Sequence, residues 1–326
     1  MSAAPLDLET SAGELDAPRV GRSNRQLVWA RLRRDVAAMV SMGILVLLLL
    51  GATVGAPLAA HFTGHPPNEL FSNAVSIRGV PIGVGEHPYR ADGIHRNPHA
   101  AIFPLGADTL GRDVLVRVLY GARISLIVAF GATGLSLIVG ILLGLLAGYL
   151  GGATDAVINR ITETAMAFPS LLLAVGLAVV VGAGLINVLV VIALFSWFYP
   201  ARIVRSVTRT GKDLLYVQAA RTMGARPRRL LFVHLLPQAA APLLVFGTSI
   251  VANNILFEAG LSYLGVGVPP PTASWGQMLS DAVNSGMYRI NPSLALVPGL
   301  ALVLTMLAFN LLGDSLRDAL DPKERR

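Results

Sequence analysis

The 326-residue chain has no cysteine, which excludes disulfides, Cys-ligated zinc and thiol catalysis. Charge is scarce as well. Asp, Glu, Lys and Arg make up 14% of the residues, against about 25% in an average globular domain. No phosphate-cradling Gly-x-x-x-x-Gly-Lys-Ser/Thr loop is present: Gly211-Lys212 is followed by Asp213 and lacks the preceding glycine, so the chain is not expected to hydrolyse ATP. Gly134-Leu135-Ser136 and Gly260-Leu261-Ser262 lack the closing glycine of a nucleophile elbow, and no histidine falls within an expected span to serve as base. What is there instead is apolar. Hydrophobic residues make up 54%, the mean hydropathy is +0.63, and the net charge of +7 must sit in short polar stretches. Soluble, disordered, collagenous and nucleic-acid-binding classes fail on these numbers. The composition is that of an integral membrane protein.

A hydrocarbon core of about 30 Å takes roughly 20 helical residues and tolerates few charges. Runs without Asp, Glu, Lys or Arg place spans near 37–59, 125–149, 162–182, 186–205, 242–264 and 294–313. The stretch from Phe168 to Phe198 is almost continuously apolar and as one helix would run to about 46 Å. Gly182-Ala183-Gly184 is a natural turn that divides it in two. Merging the two would give five spans, and the basic residues argue against that. With six spans and the N-terminus inside, the inner segments hold Arg19, Arg22, Arg25, Arg31, Arg33 and Arg34, Arg160, the eight from Arg202 to Arg229, and Arg317, Lys323, Arg325 and Arg326. That is nineteen inside against seven outside, as the positive-inside rule expects. Val36–Ala60 has a longer basic lead and a longer apolar core than a cleaved signal peptide. The expected organisation is a cytoplasmic N-terminal tail at 1–35, an anchor helix at 36–60, an extracytoplasmic loop at 61–123, a five-helix core at 124–315 and a cytoplasmic tail at 316–326.

Ala132, Ser136, Gly140, Gly144 and Gly148 recur every fourth residue. Such a stripe lets two helix backbones approach closely within lipid. Pro169, Pro200, Pro242 and Pro298 predict kinks or helix starts. Polar residues at membrane depth are Asn253, Asn254, Glu258 and Asn310, with Asp314 at the inner end of the last span. Asn253, Asn254 and Glu258 are candidates for a translocation path, with an interhelical hydrogen bond near the outer boundary as the alternative for Glu258. His61, His65, His87, His95 and His99 crowd the first outer loop. Pro66, Pro67 and Pro98 argue against the helix that paired metal ligands would need, so a solvated loop is expected and no metal site is assigned. Trp275 is expected at the outer membrane interface.

The loop between spans four and five reads Asp213-Leu214-Leu215-Tyr216-Val217-Gln218-Ala219-Ala220-Arg221-Thr222-Met223-Gly224-Ala225, then Arg226-Pro227-Arg228-Arg229 and on to Leu236-Pro237. This pattern predicts a short cytoplasmic helix at 214–226 stopped by Gly224, then a basic bend and a second helix leading into span five. A short helix rooted at both ends in spans suits a knob that docks in a partner's groove. The spacing of Ala219-Ala220, Gly224 and Leu236-Pro237 resembles the EAA signature of binding-protein-dependent ABC importer permeases. Three further stretches narrow the match: Pro104-Leu105-Gly106-Ala107-Asp108-Thr109-Leu110-Gly111-Arg112-Asp113-Val114; Leu261-Ser262-Tyr263-Leu264-Gly265 with Ser274-Trp275-Gly276; and Phe309-Asn310-Leu311-Leu312-Gly313-Asp314 with Arg317-Asp318. Together they resemble the C-type permease of dipeptide, oligopeptide and nickel importers over about residues 25–322. Gln218 departs from the pattern, standing where the family usually has Glu, so a salt link made by that Glu is lost here.

The resemblance implies an all-α polytopic protein with the six-helix type I ABC importer permease bundle, in the cytoplasmic membrane of a bacterium with both termini inside. It implies no catalysis and no bound cofactor, with ATP and Mg used by partner subunits. Those partners would be a homologous second permease, two ATP-binding subunits and an extracytoplasmic substrate-binding protein. A peptide would be the cargo, moved by alternating access, and nickel is the alternative within the family. Tyr216, Gln218, Ala219, Ala220, Gly224, Ala225, Arg228 and Pro237 would face or shape the ATPase contact. A proton-coupled secondary transporter using Glu258 or Asp314 is the rival from another class.

Overall fold

The computed structural model describes residues 24–320. Residues 1–23 of the expected N-terminal tail and 321–326 of the C-terminal one lie outside them. The described residues are mostly helical and contain no strand. We label the elements α1 (Asn24–Leu32), α2 (Val36–Thr63), α3 (Val114–Leu150), α4 (Gly152–Met166), α5 (Ser170–Val181), α6 (Leu185–Gly211), α7 (Leu215–Thr222), α8 (Pro227–Tyr263), α9 (Trp275–Ser285) and α10 (Ser293–Leu320). Short π-helical turns at Gly51–Gly55 and Leu230–Leu235 lie within α2 and α8. Five helices, α2, α3, α6, α8 and α10, are long and apolar enough to cross a membrane, and there are six if the bent pair α4–α5 counts as one span.

That pair corrects the third expected span. Residues 162–182 do not form one helix: α4 and α5 meet at a break near Ala167 and are bent by 91°. Pro169 sits in extended geometry at the head of α5; it has no N–H to continue the helix and bars its predecessor from helical geometry. The glycine turn expected at 182–184 does separate α5 from α6, with Gly182 at φ +91°.

The span helices also run past the charge-free stretches. At 37 residues, α3 is about 56 Å long, well over the hydrocarbon thickness. Its first turns are therefore already helical in what was expected to be loop 61–123, and they carry Arg117 and Arg123. Likewise α2 extends to Thr63 and α8 begins at Pro227, so His61 and His234 lie in span-length helices rather than in loops. A helix ends where its capping ends, not where the membrane does. Asp113 starts α3 by accepting bonds from the Leu115 and Val116 amides, and Gly151 closes it at φ +68°.

The small-residue stripe packs α3 on α6. A methyl group placed on Gly140 would lie 2.7 Å from Pro200 Cγ, and one on Gly148 would lie 2.7 Å from the Arg205 carbonyl; Ser136 is fully buried on the same face and bonds the Thr133 carbonyl. On its other side α3 joins α8, α9 and α10 in the main core, with Val114, Ala122, Ala129, Ile255, Trp275 and Leu302 buried together. Outside the bundle, residues 64–113 form a small cap held by isolated bridges around Ala74, Ile82, Phe103 and Ala107. It is fastened to the segment just before α10 by Asn291, which donates to the Ile82 carbonyl at 3.0 Å.

Candidate functional site: the inner knob and the polar seam

Eight residues make up α7. Val217 and Ala220 turn inward onto Leu230 and Leu235, with Tyr149 and Ala225 alongside. Leu215, Tyr216, Gln218, Ala219 and Met223 face outward, and Leu215 and Met223 are each more than 80% exposed. The stop is a Schellman turn: Gly224 adopts φ +85°, its amide bonds the Arg221 carbonyl, and the Ala225 amide bonds the Ala220 carbonyl, both at 3.0 Å. Only glycine enters that left-handed geometry without cost. The paired alanines thus have opposite duties, Ala220 as a core contact and Ala219 as part of the free surface. Exposed Arg226, Arg228 and Arg229 border the knob, as does exposed Pro237 at the head of the long part of α8.

Two contacts tie the knob to long helices. Tyr216 hydroxyl meets Gln238 Nε2 on α8, and Arg221 lies over the Tyr149 ring at the inner end of α3, donating to its hydroxyl at 3.4 Å. Gln218 donates to the Asp213 carbonyl at 3.1 Å, a local bond that an amide makes without a salt link. Arg205 of α6 pairs with Asp155 of α4, adding a strap on the same side.

At membrane depth the three candidate path residues separate. Asn254 is buried, accepting from Ser196 at 2.7 Å and donating to Thr133 at 2.9 Å, so it joins α8 to both α6 and α3. Glu258 is enclosed. Ser125 of α3 and Ser262 donate to its carboxylate at 2.7 and 2.8 Å, and the Ser274 side chain also reaches it. Asn253 is exposed and faces a cavity of about 380 Å³ between α5, α6 and α8.

At the end of the bundle opposite α7, two of the sequence motifs, far apart in the chain, meet. Arg112 holds Asp108 at 2.6 Å and reaches Asp281 of α9 at 3.4 Å. Buried Arg117 lies 3.5 Å from Asp108 and donates to the Pro67 and Pro271 carbonyls. Trp275, expected at the outer membrane interface, does not present its ring to a membrane surface. It is fully buried, and its indole N–H donates to the Val118 carbonyl at 3.0 Å, because α9 folds back into the bundle and takes the ring inside. His65 also departs from the solvated loop: it is buried, 2.8 Å from Asp113 and stacked on Phe103 at 4.0 Å. The other four histidines of residues 61–99 stay in the cap or near it, and no group of three His, Cys, Asp or Glu is arranged for a metal among the described residues. His95 bonds Asp92 and, with backbone amides of Ile94 and His95, holds that carboxyl below its usual range. At the same end of the bundle as α7, a bond from Ser315 of α10 holds the Asp35 carboxyl below its usual range, tying the head of α2 to the last helix.

Spacing alone did not single out Tyr149, Gln238, Ser125, Thr133, Arg117 or Asp281. Asp108, Arg112, Asp113 and Arg117, charges of both signs four or five residues apart, were the one legible sign of the outer network.

Comparison with known proteins places these features. The family described as binding-protein-dependent transport system inner membrane component matches residues 140–326, and the N-terminal TM domain of oligopeptide transport permease C matches residues 23–74. The oligopeptide transport system permease protein OppC of Bacillus subtilis is 37% identical over 95% of this chain and 94% of its own. The glutathione transport system permease protein GsiD of Pectobacterium atrosepticum is 44% identical over 73% of this chain and 78% of its own. The di/tripeptide transport system permease protein DppC of Pseudomonas aeruginosa is 44% identical over 68% of this chain and 73% of its own.

Proposed function

Because the chain belongs to the family of binding-protein-dependent transport system inner membrane components, we propose that it is the permease subunit of an ATP-driven importer of dipeptides and oligopeptides. The cargo class rests on the relatives named for oligopeptide and di/tripeptide transport. The subunit works with a homologous second permease, two ATP-binding subunits that use ATP and Mg, and an extracytoplasmic substrate-binding protein. It binds no cofactor of its own and breaks no bond. With α4–α5 counted as one span, nineteen of the basic residues and both termini fall on the cytoplasmic side of a bacterial cytoplasmic membrane.

The observation that carries the reading is the glycine-stopped α7, whose exposed Leu215, Tyr216, Ala219 and Met223 offer an apolar docking face while Arg221 and Tyr216 grip α3 and α8. Closure of the ATP-binding subunits moves this helix and with it the two long spans. Cargo contributes by differential affinity for the outward- and inward-facing states. The enclosure of Glu258 by serines favours a fastening role over the proton relay of a secondary transporter. The test is Gly224→Trp. The bulky ring projects from the knob, so the variant inserts normally and fails to co-purify with the ATP-binding subunit; normal assembly and transport in that variant overturn the docking role.

A further inference from the structure

The cavity of about 380 Å³ is lined by Ser170 and Leu171 of α5, Phe195, Ser196 and Tyr199 of α6, and Ile250, Asn253, Asn254, Leu256 and Phe257 of α8. Its size falls within the roughly 300–1,000 Å³ of small-molecule sites. The 91° bend between α4 and α5 is what brings the head of α5 to this wall. None of the lining side chains is ionisable at neutral pH. The polar ones fall into two groups. Ser196 and Asn254 are bonded to each other and to the helices behind them. Asn253, Tyr199 and Ser170 make no side-chain hydrogen bond among the described residues, and Asn253 and Tyr199 are exposed. Asn253 lies ten residues before the outer end of α8 at Tyr263, about 15 Å along the helix, and thus at hydrocarbon depth. An amide there without a partner is costly in lipid, so this side of the bundle does not face lipid.

We infer that Asn253, Tyr199 and Ser170 form a cargo-contact site that reads the neutral backbone of a peptide and ignores its charged ends. The inference rests on the peptide-import reading and adds the chemistry of the contact. A primary amide presents both donors and an acceptor, the complement of a peptide group, and two hydroxyls extend the row. Leu171, Phe195, Ile250 and Phe257 supply apolar walls for side chains of varied shape. With no carboxylate or cation in the wall, neither the ammonium nor the carboxylate of a free peptide is selected, and Glu258, one turn further along α8, is sealed away from the cavity.

The chain lacks cysteine, so Asn253→Cys gives it a single thiol. In the purified complete transporter in detergent, that thiol reacts with a water-soluble thiosulfonate roughly tenfold faster than one introduced by Leu47→Cys or Glu258→Cys, because the thiolate forms only where water reaches. Millimolar trialanine and N-acetyl-trialanine amide slow the reaction equally. Trialanine uptake by the unmodified transporter in vesicles is measured alongside. Absence of that uptake overturns the peptide reading and the cargo class with it. Uptake combined with slow labelling, or with no protection, overturns the cavity alone, and protection by the free peptide but not the blocked one overturns the neutral-backbone contact.

Discussion

Gly144→Ala tests a close approach of two helices in the bundle. A Cβ there would lie 2.6 Å from the Ala201 carbonyl oxygen, 2.8 Å from Val204 Cβ and 3.1 Å from the Arg205 amide nitrogen. Ordinary carbon contacts are about 3.5–4.0 Å, so α3 and α6 must part by about 1 Å, and a gap of that size forfeits roughly a quarter to a half of the dispersion well. The loss spreads to the neighbouring contacts at Gly140 and Gly148. Overpacking of this kind costs about 1–3 kcal/mol. Helix propensity works the other way, since Ala is favoured over Gly by up to about 1 kcal/mol. Gly134→Ala in the same helix isolates that gain, because its Cβ meets nothing within 4 Å. The difference between the two variants is therefore the clash, about five- to 150-fold in the folded ratio. Reversible unfolding in mixed micelles measures it. Val204→Ala should not rescue Gly144→Ala, because two of the three obstructing atoms are backbone and the third, the Val204 Cβ, is kept by alanine. Equal stability of the two glycine variants, or full rescue by Val204→Ala, refutes the backbone seam.

Two other substitutions probe the polar fastenings. His65→Ala should lower stability by about 1–3 kcal/mol, because it strands Oδ2 of buried Asp113 while the Leu115 and Val116 amides stay on Oδ1. Alanine at His61, His87, His95 and His99 together should leave peptide uptake unchanged, and selective loss of nickel accumulation in that quadruple variant would instead support the metal cargo. Glu258→Leu should likewise cost about 1–3 kcal/mol by stranding the Ser125 and Ser262 hydroxyls, while Glu258→Gln keeps both bonds and most of the stability; thermal midpoints of the purified protein separate the two, and equal midpoints remove the fastening role.

Where charge and glycine mark a boundary, the amino-acid sequence was informative. The charge-free stretches located the spans, the four-residue stripe located the α3–α6 seam, and Gly224 located the stop of α7. The misjudged features share a cause: their partners are distant in the chain. Nothing within residues 162–182 signals a right-angle bend except Pro169, which also suits an ordinary helix start. A tryptophan at the end of a span fits a membrane interface as well as a core, and only the Val118 carbonyl, 157 residues away, decides for the core. His65 sits beside two prolines that made a solvated loop the natural reading, while its partner Asp113 lies 48 residues on. Of the candidate path residues, composition could not tell Asn253 from Asn254, since adjacent positions on a helix are about 100° apart and only the packed bundle shows which one faces the cavity.

These fastenings bear on how a push on α7 reaches the far side of the membrane. α3 and α8, each 37 residues long, are linked to each other at two depths, through Thr133–Asn254 and Ser125–Glu258. Their inner parts hold α7 through Tyr149 and Gln238, and the outer end of α3 carries Asp113, Arg117 and Val118, which hold the cap and α9. Pinned to each other at two points, the two helices move as one body beyond Pro242 of α8, because bending either there breaks backbone hydrogen bonds along its length. α6 meets α3 differently, along a glycine seam with no side-chain hydrogen bond between the two helices among the described residues apart from the Asn254 relay behind it. Compliance in the proposed cycle therefore belongs to the α4–α5 bend and the α3–α6 seam. Both border the cavity or lie directly behind it, so displacement of the paired helices would change the width of the proposed cargo site before it changed the packing of the core.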